Sequence, residues 1–235
     1  MDIFRKIFND ENNYDSSDSG DLNIISDVYV DSKDVITKLS NIKKNIQNNN
    51  QIMISNRYMQ NNLRYHCIPN VIHINVCKFI IEESEKYAEK HGWTTSRHIN
   101  YPTTDIPVKS IKTIINLVDN LIKYDIFPLF QKYYNINKYF LDYGDIFIVK
   151  YDIDFQNKLE KHRDGNLFSF NVLLNSPSEF TGGGTIFEIN GTDILVNNTQ
   201  GGIVLHNGQL LHAGNEITNG KRYLLVGFIK YLPDY

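Results

Sequence analysis

Apolar positions recur at helical spacing in three separate runs along the first half of the chain, then give way to short apolar or alternating runs broken by Gly, Asn, Asp and Pro. Behind Asp31 or Ser32, either of which can cap a helix, Val35, Ile36, Leu39, Ile42 and Ile46 share one face before the Asn-rich stretch from Asn45 to Gln51. A second helix is predicted from Asn75, with Val76, Cys77, Ile80, Ile81, Tyr87 and Ala88 on its apolar side and Gly92 as its stop. A third runs from about Val108 to Tyr124 and carries Ile111, Ile114, Ile115, Val118, Leu121 and Ile122. After Tyr139 the predicted strands are Asp145 to Tyr151, Leu167 to Leu174, Thr185 to Ile189, Gly202 to His206 and Arg222 to Tyr231. Helices followed by short strands predict an α+β fold in which a mainly antiparallel sandwich or barrel carries the chemistry and the N-terminal helices support it.

The segment from about residue 9 to residue 21 combines acids, Ser, Asn and Gly with almost no apolar content, so residues 1–21 are expected to form a disordered acidic tail that chemistry does not need. Residues 22–65 then read as a helical extension and Asn-rich linker. The chain has 235 residues, long enough to bury a core without disulfide staples. With 41 % hydrophobic and 22 % charged residues, and a mean hydropathy of -0.36, it has the balance of a soluble globular protein. No apolar run approaches the roughly 18 residues of a spanning helix, and no secretory h-region develops, so a cytoplasmic protein without a membrane partner is expected. A net charge of -3 gives no electrostatic reason to expect a nucleic-acid partner. Cys67 and Cys77 lack metal-site spacing, and Cys77 reads as a buried reduced thiol.

The chemistry begins with His162-Arg163-Asp164. In an extended segment residues two apart share a face, so an imidazole and a carboxylate point at one spot, although a surface turn at Asp164-Gly165 explains the same residues. A second cluster strengthens the first. His212 is expected to open a hairpin-like element with Arg222 on its return strand, ten residues on. Two histidines and one carboxylate make the facial triad of non-haem Fe(II) oxygenases, which leaves metal positions open. A buried arginine nearby needs an anion, and a dicarboxylate that chelates the metal at one end supplies it at the other. His206, sixteen residues before Arg222, competes with His212 as the distal ligand, while His66, His73, His91 and His98 read as core or surface residues.

The motifs YPTTDIPV (Tyr101 to Val108), FIVKY (Phe147 to Tyr151), HRDGNLFSFNVLLN (His162 to Asn175), FTGGGTIFE (Phe180 to Glu188) and HAGNEITNGKRYLLVGF (His212 to Phe228) follow one another in order. Over roughly residues 66–235 the sequence resembles the 2-oxoglutarate and Fe(II)-dependent dioxygenases, and among them the catalytic domain of procollagen lysyl hydroxylases. The resemblance implies a double-stranded β-helix (jelly-roll) core. It implies His162, Asp164 and His212 as iron ligands, Arg222 as partner of the 2-oxoglutarate C5 carboxylate, and Tyr151 and Asn171 as further 2-oxoglutarate contacts. Gly182 to Gly184 match a glycine turn, and Trp93, Arg97 and Asp105 are expected at the substrate mouth, although a helix N-terminal charge preference accounts equally for Asp105. Two departures stand out: the distal histidine lies in HNGQLLHAG where the family is rich in Pro and Gly, and the glycosyltransferase part of animal lysyl hydroxylases has no counterpart here. The implied reaction hydroxylates an unactivated C–H bond of a peptidyl lysine or proline, consuming dioxygen and 2-oxoglutarate and releasing succinate and carbon dioxide, with ascorbate as reductant. A free amino acid or other small molecule as substrate, and a jelly-roll interaction module without activity, are the competing readings.

Overall fold

The computed structural model describes residues 63–231. The acidic tail, the helix expected behind Asp31 or Ser32 and the Asn-rich linker lie outside the described residues. Within them the mixed helical and antiparallel architecture expected from the pattern is found. The larger sheet runs β1 (Tyr65–Ile68), β9 (Ile203–Asn207), β5 (Phe168–Leu173), β11 (Ile217–Tyr231), β3 (Leu141–Asp152) and β2 (Asp105–Pro107), with β6 (Phe180–Gly182) paired to the start of β11. The smaller runs β4 (Leu159–His162), β10 (His212–Gly214), β7 (Thr185–Ile189) and β8 (Thr192–Val196). The paired strands are all antiparallel, as a jelly-roll requires.

Helices cover the outer face of the larger sheet. The first, α1 (Ile74–His91), starts where the His73 side chain accepts the Asn75 N–H and stops at Gly92, whose φ of 75° lets its N–H close on Ala88. Val76, Cys77 and Ile80 are buried on it, and burial pushes the Cys77 thiol up to about 12, so it stays protonated. The third predicted helix is displaced. Val108–Ser110 makes a single 3-10 turn, and the continuous helical rod begins as α2 (Ile115–Asn120), widens into a π-helical stretch (Leu121–Ile126) and ends as α3 (Phe127–Tyr134). Pro128 has no N–H to offer the preceding turn, and the ladder widens immediately before it. Its buried stripe is Leu117, Val118, Ile122, Ile126, Phe130 and Tyr134, whereas Ile115, expected on that face, is 37 % exposed. Phe130 and Tyr134 pack on Phe168 of β5 with ring centroids 5.3 and 4.5 Å away.

The pairing pattern also corrects the expected hairpin. His212 and Arg222 do not face each other across a turn, because β10 pairs with β4 and β7 whereas β11 pairs with β3 and β5. The chain changes sheets at Asn215 and Glu216. That crossing is tied to the glycine turn, since the Gly183 N–H donates to Glu216 O (2.7 Å), and Asn215 donates to Gly183 O through its side chain (2.7 Å) and to Gly184 O through its backbone (3.1 Å). Gly182, Gly183 and Gly184 hold φ of 83°, 74° and 95°, a left-handed run that residues with a Cβ rarely sustain.

Candidate metal centre

Between the two sheets lies a cavity of about 390 Å³. His162 closes β4, His212 opens β10, and the two are register partners, which sets their rings 4.3 Å apart. Asp164 follows β4 by two residues, its backbone held by an N–H bond to Gly208 O at 2.8 Å. His162 Nε2 is 3.5 Å from Asp164 Oδ1 and His212 Nε2 is 3.7 Å from Oδ2. One donor atom from each of the three lies within 4.8 Å of the others, and the residues are 9 %, 7 % and 7 % exposed in chain order.

Both imidazoles are oriented from behind. His162 Nδ1 lies 2.8 Å from Glu160 O and His212 Nδ1 lies 2.9 Å from Leu210 O. A carbonyl only accepts, so each Nδ1 carries the proton and each Nε2 presents a bare lone pair to the centre. Burial, reinforced by His206 beside it, holds His212 down to about 3, which keeps it neutral and ready to bind a cation. Ser169 donates its hydroxyl to Asp164 Oδ2 and fixes the carboxylate. The one signal for Ser169 in the sequence is a hydroxyl two residues before Asn171 in a strand otherwise built of Phe, Val and Leu.

Arg222 enters the same cavity from the larger sheet. It is 4 % exposed, pairs in register with Tyr151, and its guanidinium carbon lies 5.4 Å from the Tyr151 ring centre. Its Nη1 has no hydrogen-bond partner among the described residues. Burial lowers the Arg222 pKa and raises that of Tyr151. Tyr151 reaches inward because β10 carries Gly214 opposite it: a Cβ there would strike the Tyr151 hydroxyl. Asn171, buried on β5, lines the cavity as well. His162, Asp164, His212, Arg222, Tyr151 and Asn171 are therefore brought to one space.

Other expectations fare differently. Trp93, Arg97 and Asp105 do not line the cavity. Trp93 sits outside the larger sheet near Tyr223 and Lys150. Arg97 bridges Asp105 and Asp145 one layer behind the wall, with Thr103 donating to Asp105. What reaches the cavity there is His98, read from sequence as core or surface, its ring 4.8 Å from Phe147 and 6.1 Å from Phe228. Tyr101, 4.9 Å from the His162 ring, completes an aromatic wall. Spacing gave no sign of it, because its members come from three distant segments.

The donor set fits a cation that takes two neutral imidazoles and one carboxylate while keeping positions open, as Fe(II) does in facial-triad sites. The orphaned guanidinium fits a carboxylate. No protein-family model matches the chain. It is similar to procollagen-lysine,2-oxoglutarate 5-dioxygenase 2 of Mus musculus, 30 % identical over 168 residues that make up 65 % of this chain and 22 % of that protein. It is also similar to a procollagen lysyl hydroxylase and glycosyltransferase of Acanthamoeba polyphaga mimivirus, 34 % identical over 137 residues, 55 % of this chain and 14 % of that one. The chain thus spans only 22 % and 14 % of the length of these relatives. Among solved structures, the non-heme α-ketoglutarate-dependent epimerase SnoN from nogalamycin biosynthesis superposes with a TM-score of 0.56 at 12 % identity, over 72 % of this chain and 80 % of that one. A Pseudomonas putida prolyl-4-hydroxylase gives 0.51 at 12 % identity, over 72 % and 93 %. These likenesses establish a shared fold.

Proposed function

We propose, for a chain whose homologues are procollagen lysyl hydroxylases and whose fold is that of the α-ketoglutarate-dependent oxygenases, that it is an Fe(II)- and 2-oxoglutarate-dependent dioxygenase acting on a peptidyl lysine or proline. The observation that carries this reading is the meeting, in one cavity, of a His-Asp-His donor set and a buried arginine with an unpartnered Nη1. His162, Asp164 and His212 would hold the iron, and Arg222 would hold the distal carboxylate of 2-oxoglutarate by a charge-assisted pair of hydrogen bonds, with Tyr151 and Asn171 beside it. When bound, iron and 2-oxoglutarate supply the oxidising power that places one oxygen atom of O2 on a substrate C–H bond while succinate and carbon dioxide are released.

The protein's own part is geometry and exclusion of water. The backbone carbonyls behind His162 and His212 set the ring planes, Ser169 sets the carboxylate, and Leu224, Val149 and Val226 keep the space around the cosubstrate apolar. The wall of His98, Tyr101, Phe147 and Phe228 would seat the substrate side chain. Ascorbate as reductant, a cytoplasmic setting and the lack of a nucleic-acid partner belong to the same proposal; no helix among the described residues is long and apolar enough to cross a membrane.

Anaerobic titration of the full chain with Fe(II) and then 2-oxoglutarate tests it. A weak visible charge-transfer band is expected, followed on admitting air by succinate release and a gain of one oxygen on Lys- or Pro-containing peptides. A chain that binds neither ligand is an interaction module on this fold, and oxygen gained on free amino acids alone moves the substrate to small molecules.

A further inference from the structure

Resting on the reading of the cavity as an oxygenase site, we infer that Asp105 is a positioning residue for the substrate wall, acting through Arg97 on the segment 95–104. The YPTTDIPV motif puts Asp105 on β2, fully buried yet outside the cavity. The segment before it has no helix or strand of its own, and still supplies His98, Ile99, Asn100, Tyr101 and Thr103 to the cavity lining. A stretch of chain without a backbone ladder is among the first to open, so these side chains depend on holds from outside the segment.

Those holds converge on Asp105. At the base of the loop Thr94 and Asp105 exchange backbone hydrogen bonds of 3.1 and 2.9 Å. Arg97 donates to Asp105 Oδ1 with one nitrogen and to Asp145 Oδ2, on β3, with the other, while Thr103 donates to Asp105 Oδ2 at 2.5 Å. The Arg97 guanidinium carbon also lies 5.5 Å from the ring centre of Phe147, which belongs to the wall. His98 Nε2 sits 3.5 Å from Asp105 Oδ2. Gln156 grips the far end, donating to Pro102 O (2.8 Å) and accepting the Thr104 N–H (2.6 Å).

A buried ion pair is a poor source of stability, since well-packed apolar side chains of similar volume do as well or better. What this one provides is direction: a carboxylate with two acceptor oxygens and a two-pronged guanidinium fix one arrangement of the loop against β2 and β3. Arg222 and the three metal-site residues come from β4, β10, β11 and the turn after β4, so the loop can shift without carrying them along. Loss of the Asp105 network therefore predicts a separation of effects. The metal and 2-oxoglutarate bind as before, while the substrate is seated out of line with the reacting centre.

The test compares the wild type with Asp105→Asn and Asp145→Ala, all as full chains. An amide has one acceptor end and one donor end, so Asp105→Asn keeps the shape but turns an N–H against Arg97 or Thr103. Asp145→Ala removes one arm of the bridge at a side chain that is 29 % exposed, and carries the test alone if Asp105→Asn does not fold. Calorimetry with Mn(II) and then 2-oxoglutarate is expected to give the same affinities in all three proteins, and hydrogen exchange at amides 98–101 to speed up in the variants. For the Lys- or Pro-containing peptide that gains oxygen in the wild type, kcat/KM is expected to fall by up to about 100-fold, the scale of a misplacement near 1 Å. Succinate formed per oxygen transferred should rise at the same time, which a merely structural role would not cause. Unchanged exchange at amides 98–101, or an unchanged ratio in the folded variants, overturns the inference and leaves the metal centre standing. A wild type that binds neither Mn(II) nor 2-oxoglutarate defeats the reading of the cavity itself and the inference with it.

Discussion

Arg222 shows how much one side chain can be asked to do. A residue on a final strand can snorkel over apolar neighbours at the surface, but at 4 % exposure this one is enclosed with an unsatisfied Nη1. Truncating one partner of a buried charge pair costs on the order of 2 to 5 kcal/mol, so Arg222→Ala should raise the KM for 2-oxoglutarate by roughly 30-fold to several thousand-fold. The Fe(II) requirement should stay put. Arg222→Lys keeps the charge without the fork and should fall between; an unchanged KM in Arg222→Ala would remove the carboxylate anchor. Asp164 offers the complementary case, because it is gripped from two sides, by Ser169 at its carboxylate and by Gly208 at its backbone. Ser169→Ala should weaken Co(II) binding about 10- to 100-fold, the usual effect of losing a ligand's hydrogen-bond partner, with the fold retained. Asp164→Ala should abolish succinate production; wild-type turnover in that variant would mean the metal, if any, sits elsewhere.

Among elements, α1 is coupled to the larger sheet by one carboxylate. Glu85 accepts from the Tyr223 hydroxyl at 2.5 Å, Lys150 Nζ at 3.0 Å and Trp93 Nε1 at 3.4 Å. Burial works to raise its pKa, and the hydrogen bonds from Tyr223 and Lys150 outweigh it, leaving the carboxyl below the ordinary glutamate range. A depressed folded pKa means the stability it contributes is present above about 4.3 and is lost as pH falls through the folded value. Glu85→Gln should therefore cost about 1 kcal/mol in urea denaturation at neutral pH, a figure kept small by its partial exposure, and the gap to wild type should close in acid. Which elements the sequence revealed follows from length. The α1 helix and strands β3, β5, β7, β9 and β11 carry enough periodic positions to be read locally, and the HRD and HAG motifs mark the donors. Strands β1, β2, β6 and β10, of three or four residues, are too short to show a period, and the displaced third helix depends on a π-helical widening that apolar spacing does not register. Exchange of sheets after β10 is invisible for a deeper reason, since a strand's own residues do not name its partner.

For the molecule as a whole, two sheets that the chain joins by six crossings between β3 and β11 enclose a cavity in which Arg222 Nη1 has no hydrogen-bond partner among the described residues. Ligands that bind only the folded form should raise the melting temperature together, with about 2.7 kcal/mol expected at a hundredfold excess of ligand over Kd. A flat response to Mn(II) plus 2-oxoglutarate in thermal denaturation would mean the cavity does not take them. The change of sheets at Asn215 and Glu216 has a sharper consequence, because it sets His212 on one wall and Arg222 on the other. A guest gripped at both ends then works as the pin of a caliper whose jaws are the sheets, and the jaw setting is fixed by the glycine turn that holds the crossing. Such an arrangement selects by molecular length as well as by charge: among 2-oxo diacids of four, five and six carbons, protection against unfolding should peak sharply at five, and loosening the turn with Asn215→Ala should blunt that peak before it lowers it.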